Sequence, residues 1–496
     1  MTTNNRARTP LQQKADRFDV IVVGAGPGGY VAAIRAAQHG LRVAVVERGE
    51  LGGVCSNVGC IPTKAMLHGA DVAHEIATAG ALGFSVGEVS FDISGLVDHS
   101  RQVVDQLTTG IRGLLDANGV EIIVGNATVP QKGRVKVEVA KSFRELHSDH
   151  IILATGARPR SIPGVEPDGD RVWTSTEALR PSSLPASLLI IGSGAIGAEF
   201  ASLYRDLGTE VTLVEALPGI LPAEDAEVSA FVAKQFLARG IDVRTSVTVV
   251  SVVPDPSEET GGVTTTFTTS DGASHSVVTE RVLVATGVTP NSEGLGLESL
   301  GAKLERGFVK TDQWCRTGVA GLYAIGDLAG GPCLAHKASH EAVLCVDHIV
   351  GEAGVKPLDR NFVPGCTYSR PQVASIGLTE AQARERVGAA GGGAGVGGVR
   401  VGKFNLVGNG KALALGEPEG FVKTVFDGAT GELLGAHLVG PAVTEMVQGF
   451  GVAHSLHATA EDLAEVVFPH PTVSEAMHES VLDALDRVIH WPPARR

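Results

Sequence analysis

The sequence has few cysteines and no long apolar run, and each shortage excludes a class of protein. Only six cysteines occur among 496 residues, and four of them are scattered singly. This pattern does not match the disulfide framework of a small secreted protein, and no second pair supplies tetrahedral zinc ligands. No stretch of about 18 apolar residues is present, so we expect no membrane-spanning helix.

Basic residues are also in the minority. Lysine and arginine number 41 against 55 aspartates and glutamates, a net charge of −14. This balance argues against nucleic acid as a general partner. The first 17 residues lack the apolar core of a secretory signal, so we expect a short disordered tail and a cytoplasmic protein. The length and the 43% hydrophobic content predict two to four globular domains.

Two cysteines lie close together in the glycine-rich segment Gly52-Gly53-Val54-Cys55-Ser56-Asn57-Val58-Gly59-Cys60. Pro62 suits the first turn of a helix, so Cys60 is expected near a helix N-terminus, where partial positive charge favours a thiolate. In a reducing compartment a disulfide is more often catalytic than structural. We interpret Cys55 and Cys60 as a candidate redox-active disulfide. A structural disulfide or two core thiols remain the alternatives.

A dinucleotide-binding pattern occurs twice. Each copy has an apolar strand, a G-x-G-x-x-G loop, a helix and a second strand that ends in an acid, with equal spacing from first glycine to acid. The glycines permit a tight turn and close approach to a pyrophosphate, and the acid would bind a ribose. The residues are Gly24, Gly26, Gly29 and Glu47 in the first copy, and Gly192, Gly194, Gly197 and Glu215 in the second. Two such motifs predict two dinucleotides with electrons passing between them.

The second acid also indicates which nicotinamide nucleotide is used. A carboxylate at Glu215 would bind ribose hydroxyls and repel a 2′-phosphate. No arginine occurs between Arg205 and Arg239 to hold that phosphate. We therefore predict NAD rather than NADP.

The pattern of predicted secondary structure changes near Pro357. Two strands ending in Ala-Thr-Gly, at 150–156 and 281–287, precede this point and are typical of exits from nucleotide-binding domains. After it, short β-like runs alternate with helical patterns, among them 460–467 and 474–489, and predict an antiparallel sheet with helices. The stretch 388–398 is almost entirely glycine and alanine, so we expect a mobile surface loop there.

Together these motifs resemble the flavin disulfide reductase family, over residues 18 to 490. The resemblance is carried by GGVCSNVGCIPTK, both glycine motifs, the Ala-Thr-Gly pairs, the Ala-Ile-Gly-Asp that ends at Asp327, and Pro469 to Glu475. It implies an α/β fold with two Rossmann-like dinucleotide-binding domains, for FAD and NAD, and a C-terminal α+β dimerisation domain. The expected boundaries are a tail at 1–17, the FAD domain at 18–158 and 285–356, the NAD domain at 159–284 and the interface domain at 357–496.

The resemblance also implies roles for single residues. Cys60 would lie against the flavin, and Cys55 would be the outward thiol that exchanges with the substrate. Lys64, paired with Glu199, would stand near the reactive flavin nitrogen. Further positions that match FAD contacts are Gly125, Thr155, Gly156, Asp327, Leu334, Ala335 and His336, and those that match nicotinamide contacts are Val247 and Gly287.

Thiol–disulfide exchange needs a base, and His470 is the candidate. Two prolines bracket it, and Glu475 follows five residues later to fix its tautomer and raise its basicity. In the family this motif reaches the disulfide of the other subunit, so the resemblance implies a homodimer.

Within the family, the sequence is most similar to the branch that oxidises protein-bound dihydrolipoamide with NAD⁺. The implied partners are lipoyl-bearing acyltransferases of 2-oxo acid dehydrogenase complexes or a glycine-cleavage carrier. Phe468 stands where that branch usually has histidine, which leaves open a disulfide reductase for another small thiol, such as mycothione. An FAD-binding scaffold with an inert, structural disulfide is the alternative from another functional class.

Overall fold

The fold is that of a computed structural model, which describes residues 16–140, 142–254, 262–389 and 398–492. Its α-helices are α1 (Pro27–Gln38), α2 (Gly53–Val58), α3 (Cys60–Thr78), α4 (Ile93–Ala117), α5 (Ser175–Ala178), α6 (Ala195–Asp206), α7 (Ala226–Ala238), α8 (Leu297–Leu300), α9 (Ala335–Val350), α10 (Glu380–Ala389), α11 (Gly410–Leu415), α12 (Val443–Ser455), α13 (Ala460–Ala464) and α14 (Glu475–Ala484).

The strands of the first half are β1 (Asp16–Arg17), β2 (Val20–Val23), β3 (Val43–Glu47), β4 (Glu121–Val124), β5 (Asn126–Gln131), β6 (Arg134–Val139), β7 (Ser142–His147), β8 (His150–Leu153), β9 (Ala157–Pro159), β10 (Val172–Trp173), β11 (Ser187–Ile191), β12 (Glu210–Val214) and β13 (Asp242–Arg244). Those of the second half are β14 (Val247–Pro254), β15 (Val263–Thr269), β16 (Ser274–Thr279), β17 (Arg281–Val284), β18 (Val288–Pro290), β19 (Leu304–Glu305), β20 (Phe308–Val309), β21 (Leu322–Ala324), β22 (Gly365–Thr367), β23 (Gln372–Gly377), β24 (Val399–Asn405), β25 (Phe421–Asp427) and β26 (Leu433–Gly440).

The chain divides into two compact units, each assembled from three separate segments. The first comprises Met1–Asn57, Gln106–Ala157 and Pro290–Leu358, and the second comprises Val58–Asp105, Arg158–Thr289 and Asp359–Arg496. The finer division into FAD, NAD and interface domains stays a prediction. Residues 1–15 of the predicted tail and 390–397 of the predicted glycine-rich loop lie outside the described residues.

The first unit is built on a parallel sheet of order β21-β8-β2-β3-β4. All four residues of β2 are buried, as expected for a strand covered on both faces. Helix α1 packs on α9, and Gly28 permits this approach because a Cβ there would lie 3.2 Å from the carbonyl oxygen of Ala338. A separate sheet of order β1-β7-β6-β5 completes the unit.

The second unit contains a parallel sheet of order β10-β17-β11-β12-β13 and an antiparallel sheet of order β14-β15-β16. Met66 of α3 and Phe200 and Tyr204 of α6 are fully buried in one apolar core. A third, antiparallel sheet of order β22-β23-β26-β25-β24 has α12 and α14 packed against it. The predicted fold class is therefore confirmed.

Several predicted boundaries differ from the structure. The helix predicted at 460–467 ends at Ala464, because the segment that follows contains Pro469 and Pro471, which lack backbone donors. The helix predicted at 474–489 ends at Ala484, just before Asp486 takes a left-handed conformation with φ 60°. Helix α2, inside the glycine-rich cysteine segment, was not predicted. None of the helices in the described residues combines the length and the apolar character needed to cross a bilayer.

Candidate nucleotide loops and cysteine site

The first glycine loop requires glycine at specific positions. Gly24 has φ +100°, and a Cβ there would lie 2.3 Å from the carbonyl oxygen of Ala154. A Cβ at Gly29 would lie 1.9 Å from the oxygen of Gly24. Glu47 holds the loop from the end of β3, because its Oε2 accepts from the backbone N–H of Ala25 at 2.7 Å. The predicted glycines and acid are thus brought together.

The second loop repeats this construction. Gly192 has φ +98° and approaches the carbonyl oxygen of Ala285, and a Cβ at Gly197 would lie 1.9 Å from the oxygen of Gly192. Glu215 Oε2 accepts from both the backbone N–H of Ser193, at 2.9 Å, and its hydroxyl, at 2.7 Å. The first loop has no counterpart of this hydroxyl contact, because Ala25 occupies the position of Ser193 there.

Both loops fit a dinucleotide pyrophosphate. A Cβ at Gly194 would meet no atom within 4 Å, and one at Gly26 would meet only the Cα of Gly53, at 3.9 Å. These two glycines are the N-caps of α6 and α1, whose first turns contain no acidic residue. Backbone N–H groups and the helix dipole therefore face open space, and the first turn of neither helix carries a carboxylate that would repel a phosphate.

The remaining residues predicted to contact nicotinamide lie beside the second loop. Val247 is buried at the start of β14, and its N–H donates to the carbonyl oxygen of Glu215 at 3.0 Å. Gly287 has φ +101°, and its carbonyl oxygen accepts from the N–H of Arg160 at 3.0 Å. Val247 therefore lies beside the end of the strand that carries Glu215.

Three residues predicted to contact FAD lie at backbone turns of the first unit. The N–H of Gly125 donates to the carbonyl oxygen of Glu47 at 2.9 Å. The hydroxyl of Thr155 donates to the carbonyl oxygen of Asn291 at 2.8 Å. The N–H of Asn291 donates to the carbonyl oxygen of Gly156 at 2.9 Å. These bonds fix the chain just beyond the ends of β4 and β8.

Asp327 lies in a short helical turn after β21. Burial raises the pKa of its carboxyl group, while the nearby Lys337 acts in the opposite direction. The Nζ of Lys337 donates to the carbonyl oxygen of Gly330 at 2.6 Å and lies 3.4 Å from Glu341 Oε2. Sequence analysis missed Lys337 and Glu341, although a lysine and a glutamate four residues apart on the buried face of α9 would have signalled such a pair. The predicted Leu334, Ala335 and His336 form the start of this helix.

The cysteines occupy two consecutive helices. Cys55 is half-buried in α2, and Cys60 is the exposed first residue of α3. The predicted position of Cys60 at a helix N-terminus is confirmed. Within α2, the side-chain amide of Asn57 donates to the carbonyl oxygens of Leu51 and Gly53, each at 2.9 Å. This contact holds the turn from which α2 begins.

Lys64 and Glu199 are brought together in the second unit. The Nζ of Lys64, on the first turns of α3, donates to both carboxylate oxygens of Glu199, each at 2.8 Å. The side chain of Glu199 on α6 is 7% exposed and that of Lys64 is 33% exposed. The carboxylate therefore depends on its partners for charge compensation, while the lysine remains accessible from one side.

His470 and Glu475 form a hydrogen-bonded pair. The Nδ1 of His470 lies 2.8 Å from Glu475 Oε1, and the N–H of Thr472 donates to Oε2 at 2.9 Å. Burial raises the pKa of Glu475, but these two hydrogen bonds outweigh it and leave the pKa below its usual value. A charged carboxylate on Nδ1 selects the tautomer in which Nε2 can accept a proton. The imidazole is 77% exposed.

Phe468 packs into the C-terminal core. Its ring stacks on that of His478 with centroids 5.3 Å apart. The neighbouring Val467 is instead 93% exposed.

Comparison with known proteins adds family relationships. The pyridine nucleotide-disulphide oxidoreductase model matches residues 18–342, and that family's dimerisation domain matches residues 363–481. The chain is 50% identical to dihydrolipoyl dehydrogenase of Zymomonas mobilis over 96% of its own length and 100% of the relative. It is 49% identical to dihydrolipoyl dehydrogenase of Rhizobium etli with the same coverage. The crystal structure of LpdA from Mycobacterium tuberculosis superposes with a TM-score of 0.84, at 29% identity, over 94% of this chain and 99% of that one.

Proposed function

Because this chain belongs to the pyridine nucleotide-disulphide oxidoreductase family, whose cofactors are FAD and NAD, we propose that it oxidises protein-bound dihydrolipoamide to lipoamide and reduces NAD⁺ to NADH. The observation that carries the proposal is the cysteine pair, with Cys60 at a helix N-terminus, in a chain with two acid-terminated nucleotide loops. The names of the relatives support dihydrolipoamide as the substrate.

The cysteine pair performs the thiol chemistry. One substrate thiolate attacks the sulfur of Cys55 in the Cys55–Cys60 disulfide, and Cys60 leaves as a thiolate that the N-terminus of α3 stabilises. The second substrate thiolate attacks the substrate's own sulfur in this mixed disulfide, which releases Cys55 and closes the lipoyl disulfide. The substrate loses two electrons and two protons, and the enzyme disulfide becomes a dithiol.

The histidine of a second copy of the chain moves the protons. His470 accepts a proton from the attacking substrate thiol at Nε2, while Glu475 stabilises the imidazolium through Nδ1. The match to a dimerisation domain supports this arrangement, in which each active site needs both subunits.

The two nucleotide loops complete the reaction. The first loop would hold FAD and the second NAD⁺, and the flavin, when bound, would supply the two-electron chemistry between the dithiol and the nicotinamide. Glu47 and Glu215 each stabilise the conformation of their own glycine loop, which would bind a pyrophosphate. Glu215 also selects a ribose without a 2′-phosphate at the second site. Lys64 and Glu199 would stand beside the flavin. We place the reaction in the cytoplasm, with lipoyl-bearing acyltransferases as partners.

Turnover assays with the purified FAD-bound protein test this proposal. We expect NADH formation with dihydrolipoamide and NAD⁺, and little with NADP⁺. The Cys55→Ser variant should lose this activity but still oxidise NADH with an artificial acceptor, and Cys333→Ser, at an exposed cysteine outside the pair, should behave like the parent protein. Full dihydrolipoamide turnover by Cys55→Ser would refute the role of the pair. Turnover only with NADPH and a small-molecule disulfide would instead favour a reductase for another thiol.

A further inference from the structure

Tyr368 contacts both members of the Lys64–Glu199 pair. The Nζ of Lys64 lies 4.6 Å from the centroid of the tyrosine ring. The backbone N–H of Tyr368 donates to Glu199 Oε1 at 2.9 Å. A cation at this distance from an aromatic face is attracted by the negative face of the ring. The residue therefore acts on the lysine through its side chain and on the glutamate through its backbone.

The backbone around Tyr368 is held by the same two helices that carry the pair. Two residues later, Arg370 donates from its N–H to the hydroxyl of Ser202 on α6 at 2.9 Å. Its guanidinium donates to Asp71 on α3 at 2.6 Å. Ser202 lies one turn from Glu199, and Asp71 lies two turns from Lys64. Arg370 thus fixes the position of the Tyr368 backbone relative to both helices.

The ring of Tyr368 is half-buried against the apolar core that contains Phe200 and Tyr204. Burial raises the pKa of the Tyr368 phenol, so the ring remains neutral. A neutral ring packed in this way keeps one face toward the lysine.

We propose that Tyr368 is a positioning residue that holds the Lys64 ammonium group in one place through its ring face, so that the charge stays beside the flavin. The proposal rests on the role of Lys64 in the proposed function. Glu199 alone does not determine the direction of Lys64, because a lysine has three rotatable donors on a flexible stem and this one is one-third exposed. The ring removes that freedom.

Variants can separate the ring from the rest of the residue. Tyr368→Leu removes the ring but retains the backbone N–H that binds Glu199. Tyr368→Phe removes only the hydroxyl. Incorporation of trifluorophenylalanine at position 368 keeps the shape of the ring and removes its negative face, so it tests the same contact even if the leucine variant folds poorly. Phe143→Leu is the matched control, because Lys136 lies 3.8 Å from the centroid of that exposed ring in the other unit.

Two measurements on the FAD-bound protein report on the lysine. The first is the rate of reductive methylation of Lys64, followed by mass spectrometry. The second is the flavin midpoint potential, because a cation held near a flavin stabilises its reduced, anionic form. We expect the leucine and trifluorophenylalanine variants to methylate faster at Lys64 and to have a lower flavin potential. We expect kcat to fall about 2- to 30-fold with KM for dihydrolipoamide unchanged.

Tyr368→Phe and Phe143→Leu should match the parent protein in the Lys64 methylation rate, the flavin midpoint potential and kcat. Unchanged Lys64 methylation in both the leucine and the trifluorophenylalanine variants would overturn the proposal. Equal effects of Tyr368→Phe and Tyr368→Leu would also overturn it, since the hydroxyl and not the ring would then matter. Faster methylation with an unchanged flavin potential would place Lys64 away from the flavin and contradict that part of the proposed function, while leaving the contact itself intact.

Discussion

Replacing Lys423 with methionine should destabilise the C-terminal sheet by removing one buried cation. Lys423 lies on β25 with its side chain 2% exposed. Its Nζ donates to Asp225 at 3.0 Å, and to Glu227 and Glu380 at 2.7 Å each. Asp225 also caps α7, and Glu380 is the first residue of α10. One ammonium group therefore joins a strand to the starts of two helices.

The size of the effect follows from what the substitution leaves behind. Methionine matches the unbranched stem of lysine, so the packing changes little. The Asp225 carboxylate, 4% exposed, loses its cation, and breaking a buried ion pair in this way costs about 3 to 5 kcal/mol. Glu227 is 44% exposed and keeps its contact with Lys403. We therefore expect a loss near the lower end, about 3 kcal/mol.

The loss should also depend on pH. Burial raises the pKa values of Asp225, Glu227 and Glu380, but hydrogen bonds from Lys423 and other donors outweigh it and lower all three. The stability that these carboxylates contribute is therefore present above their unfolded pKa values, about 4, and is lost as the pH falls through their lower folded values. Without Lys423 their folded pKa values rise. The difference between variant and parent should be largest at neutral pH and shrink below about pH 5.

Urea unfolding followed by far-UV circular dichroism measures this difference at about pH 7.5 and about pH 3.5, above and below the unfolded pKa values of about 4. Lys310→Met is the control, because the Lys310–Glu305 pair is more than half exposed on both sides and should contribute less than about 1 kcal/mol. A loss below about 1 kcal/mol for Lys423→Met at neutral pH, or an equal loss at both pH values, would refute the reasoning.

Three further substitutions have expected outcomes. Burial raises the pKa of Glu224, so its ionisation above the usual glutamate pKa lowers the stability of the parent protein. Glu224→Gln should therefore gain stability relative to the parent as the pH rises from about 4 to about 7. A difference in urea midpoints that stays constant over this pH range would contradict this. Ser193→Ala removes the hydroxyl donor to Glu215 and should weaken NADH binding about fivefold by isothermal titration calorimetry; unchanged affinity would show that the backbone N–H alone fixes the carboxylate. Gly29→Ala places a Cβ 1.9 Å from a backbone oxygen and should abolish FAD retention, measured by flavin absorbance. Gly113→Ala, whose Cβ would meet no atom within 4 Å, should retain FAD. Normal flavin content in Gly29→Ala would disprove the steric argument.

The two nucleotide loops were predictable because their determinants are local. The positive φ angles of Gly24 and Gly192, the apolar strands before them and the acids after them all lie within one short segment each. The helix start at Cys60 was predictable for the same reason, since Pro62 and the neighbouring glycines act on their own backbone. Helix α2 was missed because a segment with several glycines carries no helical periodicity, and the contacts of Asn57 decide its conformation.

The sequence by itself determined the fold class, the two nucleotide motifs and the residues with thiol and imidazole chemistry, because hydrophobic period, glycine conformation and residue type act over short distances. Only the tertiary structure decided which distant residues meet. Tyr368 lies 169 positions from Glu199 along the chain, and Lys423 lies 198 positions from Asp225, yet each pair shares a hydrogen bond. No local pattern in the sequence encodes such contacts, since they arise when separate helices and strands pack to bury their apolar faces and thereby force their polar groups to find partners.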